Sequence, residues 1–254
     1  MPKRTANAFF CPTLSWLALC LVPALCLAAP PADFEARLDL ARNGKVIGEM
    51  NFDLKSQDGR WIMASNTHGT HGLARFLALK ESSTGEGTWE DSKPVPLSYV
   101  RDVQVIKHMH WSADFDWGAG KVHTVYPDGE STLDLKPGMV DESAIGLIVR
   151  DGLARGENEW FLDMVDEDHI EHAHFRRRSV ESIETPLGCM KVHVVEKVRG
   201  ENSTRYTRTY YAEDHEFTPV KMEHGKTDGD HMEANVTELT VDGMKVDPGP
   251  GCGL

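Results

Sequence analysis

Apolar and polar residues alternate with a period of two along much of the chain. Phe34, Ala36, Leu38 and Leu40 fall on one face of the first such stretch, and Glu35, Arg37 and Asp39 on the other. Strand side chains point alternately to the two faces, so this is the pattern of a strand buried on one side. Asn43-Gly44 follows. Both residues tolerate positive φ, which a tight hairpin needs. Val46 to Leu54 reads as the return strand, with Met50, Phe52 and Leu54 on one face, and Asp58-Gly59 turns the chain into Trp61-Ile62-Met63. The same grammar recurs later. Trp111, Ala113, Phe115 and Trp117 alternate with Ser112, Asp114 and Asp116, and Gly118-Ala119-Gly120 leads into Lys121 to Tyr126. Pro127-Asp128-Gly129 is a further turn, since proline presets φ and glycine accepts conformations others cannot. Met190, Val192, Val194 and Val198 share a face, with Glu196 breaking the row. Tyr206 to Tyr211, Thr218 to His224 and His231 to Val241 complete the strands. Turns spaced roughly 8–14 residues apart favour antiparallel architecture over βαβ units.

Two segments depart from this period. Gly72 to Leu79 reads as a short helical turn. Asp141 to Leu153 reads as a helix: Asp141 can cap it, and Glu142 suits the positive end of its dipole. Ile145, Ile148, Val149 and Leu153 form an apolar stripe, and Gly156 ends the segment. The fold class expected is mainly β: a large curved antiparallel sheet or open barrel with one central helix, Asp141 to Leu153, packed against the sheet or plugging it.

The N-terminus has a different composition. Lys3 and Arg4 precede a run from Leu14 to Leu27 that is apolar except for Ser15 and is interrupted by Pro23. It ends in Cys26-Leu27-Ala28, with small residues where a signal peptidase reads. The expected organisation is a signal peptide over residues 1–28 and a single β-rich domain over 29–254. The address would be periplasmic, with no integral membrane span after cleavage. Cleavage removes two positive charges and no acid, taking the net charge from −13 to −15. Such a surface repels phosphate backbones and anionic lipid, so nucleic acid is excluded as a partner.

Three of the five cysteines lie in that leader, leaving Cys189 and Cys252. An exported pair invites a disulfide tying the Pro248-Gly249-Pro250-Gly251-Cys252 tail to the body; two free thiols are the alternative. Histidine is the other candidate chemistry. In His169-Ile170-Glu171-His172-Ala173-His174, a strand would point His172 and His174 the same way, so the two could chelate a metal beside Asp168 or Glu171. Arg176-Arg177-Arg178 follow at once, which disfavours a cation there, and a polar strand face is the simpler reading. His68-Gly69-Thr70-His71 and His108-Met109-His110 bring no fixed acidic partner. The chain contains no HExxH, no paired CxxC, no GxSxG and no SxxK. No catalytic residue and no cofactor follow from the sequence. Asn202-Ser203-Thr204 and Asn235-Val236-Thr237 fit the glycosylation sequon but read better as a turn and a strand. The tryptophans after the leader, Trp61, Trp89, Trp111, Trp117 and Trp160, either fill a core or line a cavity.

Ordered blocks of the chain resemble the exported bacterial proteins of the domain of unknown function 3108 family. Arg42 to Glu49 is similar to that family's first hairpin. Ser82 to Tyr99, with Pro96-Leu97-Ser98-Tyr99, and Asp141-Glu142-Ser143-Ala144 through Arg150 resemble its next blocks. Glu184-Thr185-Pro186-Leu187-Gly188 resembles its turn, and Tyr210 to Asp214 with Phe217 to Val220 its closing pair of strands. The resemblance implies a mainly antiparallel envelope protein and carries no catalytic motif. The function expected is a periplasmic, non-catalytic binding module whose curved sheet holds an apolar or amphipathic envelope ligand, with the central helix as lid or plug; the partners expected are a lipid-like small molecule or an envelope protein. The alternatives are a hydrolase with a histidine/carboxylate site, with or without zinc, and a structural partner in an envelope complex.

Overall fold

The computed structural model describes residues 30–76 and 78–253; the expected signal peptide lies outside the described residues. Eight strands form the first half: β1 (Phe34–Arg42), β2 (Lys45–Gln57), β3 (Arg60–Gly69), β4 (Lys80–Glu90), β5 (Lys93–Gln104), β6 (His108–Asp116), β7 (Lys121–Tyr126) and β8 (Gly129–Asp134). A short helix, α1 (Gly72–Phe76), lies between β3 and β4. Helix α2 (Glu142–Ala154) leads to β9 (Glu159–Asp166), β10 (His169–Thr185), β11 (Gly188–Lys197), β12 (Arg205–Ala212), β13 (Thr218–Lys226), β14 (His231–Val241) and a two-residue β15 (Met244–Lys245).

All fifteen strands belong to one antiparallel sheet in the order β8-β7-β6-β5-β4-β3-β2-β1-β14-β13-β12-β11-β10-β9, with β15 on β14. The turn chemistry explains the meander. Asn43 and Gly44 take φ of 49° and 74°, and Asp58 and Gly59 take 52° and 75°, the paired positive values of a tight hairpin. The first and last thirds of the chain meet where β1 pairs with β14, from Phe34↔Val241 to Arg42↔Met232.

The sheet curls without closing into a barrel. Its two ends meet through side chains. Thr124 on β7 donates to Glu167 O at 2.6 Å, Trp111 Nε1 donates to Glu167 Oε1 at 2.9 Å, and Val165 packs with Ala113, Phe115 and Val122. Val140 adds a parallel bridge beside Met164 on β9. The main core gathers Phe34, Leu38, Leu54, Trp61, Val192, Val220, Val236 and Leu239. Phe34, Leu38, Leu54 and Val192 are period-two positions of the sequence, whereas Val236 and Leu239 lie three apart across the register shift between β1 and β14.

The strands also include segments the alternation did not reveal: β4, β5, β8, β9, the long β10 and the short β15. In β4, Gly85 and Gly87 stand where side chains would alternate, because the space is taken. A Cβ on Gly87 would come within 2.6 Å of the Trp61 ring. Opposite Gly87 the β4–β5 register shifts and admits Pro96. No helix among the described residues is long and apolar enough to cross a membrane.

Candidate functional site

Any ligand held by a curled sheet would sit in its concavity, and α2 occupies that space. Asp141 caps the helix, its Oδ1 accepting from Ala144 N–H at 2.9 Å and from the Ser143 hydroxyl at 2.5 Å. Ala144 and Leu147 join the main core. Val149 and Leu153 join a second cluster with Trp160, Val195 and Tyr211. Ile145 and Ile148 pack against both, so the helix is a wedge between two cores, wider than the four-residue stripe of the sequence. The sequence reading missed Leu147, which is fully buried, and Arg150, which is 1% exposed.

Arg150 is an unusual resident of such a core. Its Nη2 donates to Ala32 O at 2.9 Å and to Glu216 O at 3.1 Å, and it lies 3.5 Å from Thr218 Oγ1. The guanidinium stands 5.0 Å from the centre of the Phe34 ring. Burial lowers its pKa to about 10, still far enough above neutrality to keep the charge. Burial acts oppositely on Asp141, raising its carboxyl to about 6 against the pull of the Ser143 and Ala144 hydrogen bonds. Tyr99 donates its hydroxyl to Glu142 at 3.0 Å, and burial and that carboxylate push the phenol well above its ordinary range.

The histidines do not converge. His172 Nδ1 lies 2.6 Å from Asp163, and the side chain is largely exposed. His174 stacks on Phe161 at 4.3 Å between ring centres and is 3.8 Å from Glu159. His169 sits beside Asp166 and Asp168. His172 and His174 do share a side of β10, as the alternation requires, but β9 supplies each with its own acid. His108 and His110 share Asp102, at 2.8 and 2.9 Å, a partner the sequence reading did not find. His193 Nε2 lies 2.7 Å from Glu213, and Arg177 reaches its Nδ1 at 3.3 Å. Among the described residues no group of three or more His, Cys, Asp or Glu could hold a metal ion.

Cys189 and Cys252 are joined, with Cα atoms 4.5 Å apart. The tail they tether continues the sheet margin: Gly249 donates to Leu187 O, and Cys189 N–H donates to Pro250 O, both at 2.9 Å. Glu184 accepts from Cys252 N–H at 2.8 Å. Among the tryptophans, Trp61 and Trp160 are core, Trp89 packs against it, and Trp111 and Trp117 bond Glu167 and Pro96 O. An open furrow of about 600 Å³ lies on the outside, where β10 passes the start of β9; Asn158, Glu159 and Arg176 to Val180 line it.

The profile of the family described as protein of unknown function (DUF3108) matches residues 34–236. The chain belongs to the DUF3108 family. No curated protein matches its sequence. A β-barrel-like protein of domain of unknown function DUF1849 from Brucella abortus shares the fold, with a TM-score of 0.53 at 10% identity over 84% of this chain and 99% of that one. A candidate lipoprotein from Parabacteroides distasonis aligns at a TM-score of 0.36 and 9% identity, over 83% of this chain and 95% of that one.

The blocks that carry the DUF3108 resemblance have plain structural work in this chain. Asn43-Gly44 is the first turn. Asp141 and Ser143 cap α2, and Arg150 pins it to the β12–β13 connection. Thr185 Oγ1 accepts from Leu187 N–H at 3.1 Å and donates to Gly188 O at 2.8 Å, closing the turn before β11. The blocks that mark this DUF3108 chain therefore shape the sheet and seat its plug.

Proposed function

We propose that this DUF3108 protein is a non-catalytic binding module of the bacterial envelope that engages another polypeptide through its surface. One observation carries the reading: α2 fills the concave side of the sheet. A carrier of an apolar ligand needs a concave, largely preformed cavity. Here Ala144, Leu147 and Val140 pack into the same cluster as Trp61, Phe34 and Val236. A lipid would have to displace the wedge and uncover both cores. The basic and apolar N-terminal run supports export, and the acidic surface argues against nucleic acid. The histidines, spread along the sheet with separate partners apart from His108 and His110 on Asp102, do not favour the hydrolase alternative.

Untagged protein recovered from the periplasm tests this. Native mass spectrometry should give the mass of the chain from Ala29, oxidised at its cysteines, with organic extraction recovering no stoichiometric lipid. An intact N-terminus would overturn the envelope assignment. One lipid per chain would replace the surface reading with the carrier reading.

A further inference from the structure

We propose that the free margin of β10 from Val180 to Glu184 is a docking edge for an extended, acidic segment of another polypeptide. This deepens the surface-binding reading and rests on it.

Other margins of this sheet are covered in part, short, or, like Lys93 to Leu97 of β5 with Pro94 and Pro96, broken by proline. β9 is bridged by Val140, which bonds Asp163 O and Val165 N–H. β11 before its pairing with β12 is covered by the tethered tail at Gly249 and Pro250. β8 is six residues long and polar. An uncovered strand margin invites pairing with another chain, so covering it is the usual arrangement.

β10 offers a longer uncovered run. It runs for 17 residues, but β9 accompanies it only as far as Glu159↔Arg176, with Arg177 N–H reaching Asn158 O at 2.8 Å. Up to that point odd-numbered residues of β10 face β9 and even-numbered ones face β11, as the bond from Val198 N–H to His174 O shows. The register against β11 then slips between Arg177 and Ser179, leaving Arg178 as the extra residue. A bulge of this kind exchanges the sides toward which successive backbone groups point. Beyond it Ser179, Glu181 and Ile183 bond to β11. Val180, Ser182 and Glu184 turn their N–H and C=O groups to the side that β9 has left. All three side chains are exposed, Val180 to 45%.

The charge beside this margin selects the occupant. Arg176, Arg177 and Arg178 line the furrow at its start, on a chain of net charge −13. Arg178 is paired with Glu196 at 2.8 Å, and Arg177 donates to a histidine. Arg176 is exposed and makes no ion pair among the described residues, and Glu159 is the acid among the furrow residues. The margin itself carries Glu181 and, at the far end, Glu184, whose carboxylate already accepts from Cys252 N–H. A strand added here gains main-chain hydrogen bonds from alternate residues. Its acidic residues belong at the arginine end, and neutral or basic ones at the Glu184 end. In antiparallel addition the acidic end is the C-terminal one.

The test uses the exported chain with its disulfide intact and two fluorescein-labelled octapeptides. One is Lys-Val-Thr-Val-Thr-Val-Asp-Asp; the other carries lysines in place of both aspartates. The aspartate peptide should bind in a salt-sensitive way, at least tenfold more tightly than the lysine peptide. Arg176→Glu should weaken it at least tenfold. Ser182→Pro removes a free N–H and no bond to β11, and should do the same. If Ser182→Pro fails to fold, Arg176→Glu and amide exchange decide. Bound peptide should protect the amides of Val180, Ser182 and Glu184, with no new protection at Ser179, Glu181 or Ile183. Absence of binding, binding indifferent to Arg176→Glu, or protection that ignores this alternation would overturn the proposal. So would self-association that protects the same three amides without peptide, since the occupant would then be a second copy. Failure with lipid-free protein leaves the surface-binding reading standing; a stoichiometric lipid removes that reading itself.

Discussion

Helix α2 buries one charge at its N-cap and another in its third turn, and it treats them differently. Arg150 gives hydrogen bonds to the carbonyls of Ala32 and Glu216 and lies over an aromatic ring. Through it one helix residue holds the start of the described chain, the turn before β13 and the core. Asp141 has local partners only, Ala144 N–H and Ser143; among the described residues its second oxygen, like Arg150 Nη1, is buried without a partner. The first charge joins segments distant in sequence; the second shapes one turn of helix. A buried polar group is worth most when its loss strands several others.

Four substitutions probe that contrast, the largest effect first. Arg150→Ala takes the donor from the partly buried carbonyls of Ala32 and Glu216 and opens a void over Phe34. A loss of about 3 kcal/mol or more is expected in urea unfolding. A loss no greater than that of Asp141→Ala would erase the distinction. Gly85→Ala comes next. Its Cβ would stand 1.8 Å from Ser143 Oγ, so the capped turn must move, at about 2 kcal/mol. A neutral result would mean that the capped end yields easily. Asp141→Ala removes the cap alone and should cost about 1 kcal/mol.

Asp141→Asn should be the mildest at neutral pH, because asparagine caps about as well. Its signature is in the pH dependence. Asp141 titrates near 6 in the folded protein and near 3.8 unfolded, so the folded state holds that proton more tightly. Its contribution favours folding most below about pH 4 and erodes as pH rises toward 6. The wild type should therefore lose stability relative to Asp141→Asn across that window and run parallel above it. Parallel curves throughout would mean the carboxyl is not perturbed by burial.

Much of this could be read from local signals. Asn43-Gly44 and Asp58-Gly59 fix hairpins through their own φ angles, and Asp141 caps a helix whose extent follows from its spacing. What could not be read depends on neighbours remote in sequence. A polar stretch such as β4 is a strand because Trp61 and Ser143 fill the places of its absent side chains. Arg150 looks like a solvent-facing residue until Ala32 and Glu216 are beside it. His172 and His174 share a side of β10 as alternation requires, but only the partner strand reveals that Asp163 and Glu159 separate their roles. The docking edge hinges on one bulged residue, Arg178, which no periodicity announces.

The order of strands also has a consequence in time. Neighbours along the path from β8 to β9 are consecutive in sequence except at one joint, β1 with β14. There Thr237 bonds a carbonyl 200 residues away. Each meander can assemble from hairpins as its residues become available, whereas the joint must wait for almost the whole chain. Ring closure over such a span adds little entropy cost, since that cost grows only with the logarithm of length. Delay is the larger burden: non-local pairing slows folding. Until β14 arrives, β1 holds one bare margin beside Leu38 and Leu40, and the interval before that joint forms is when the young chain is most open to wrong partners.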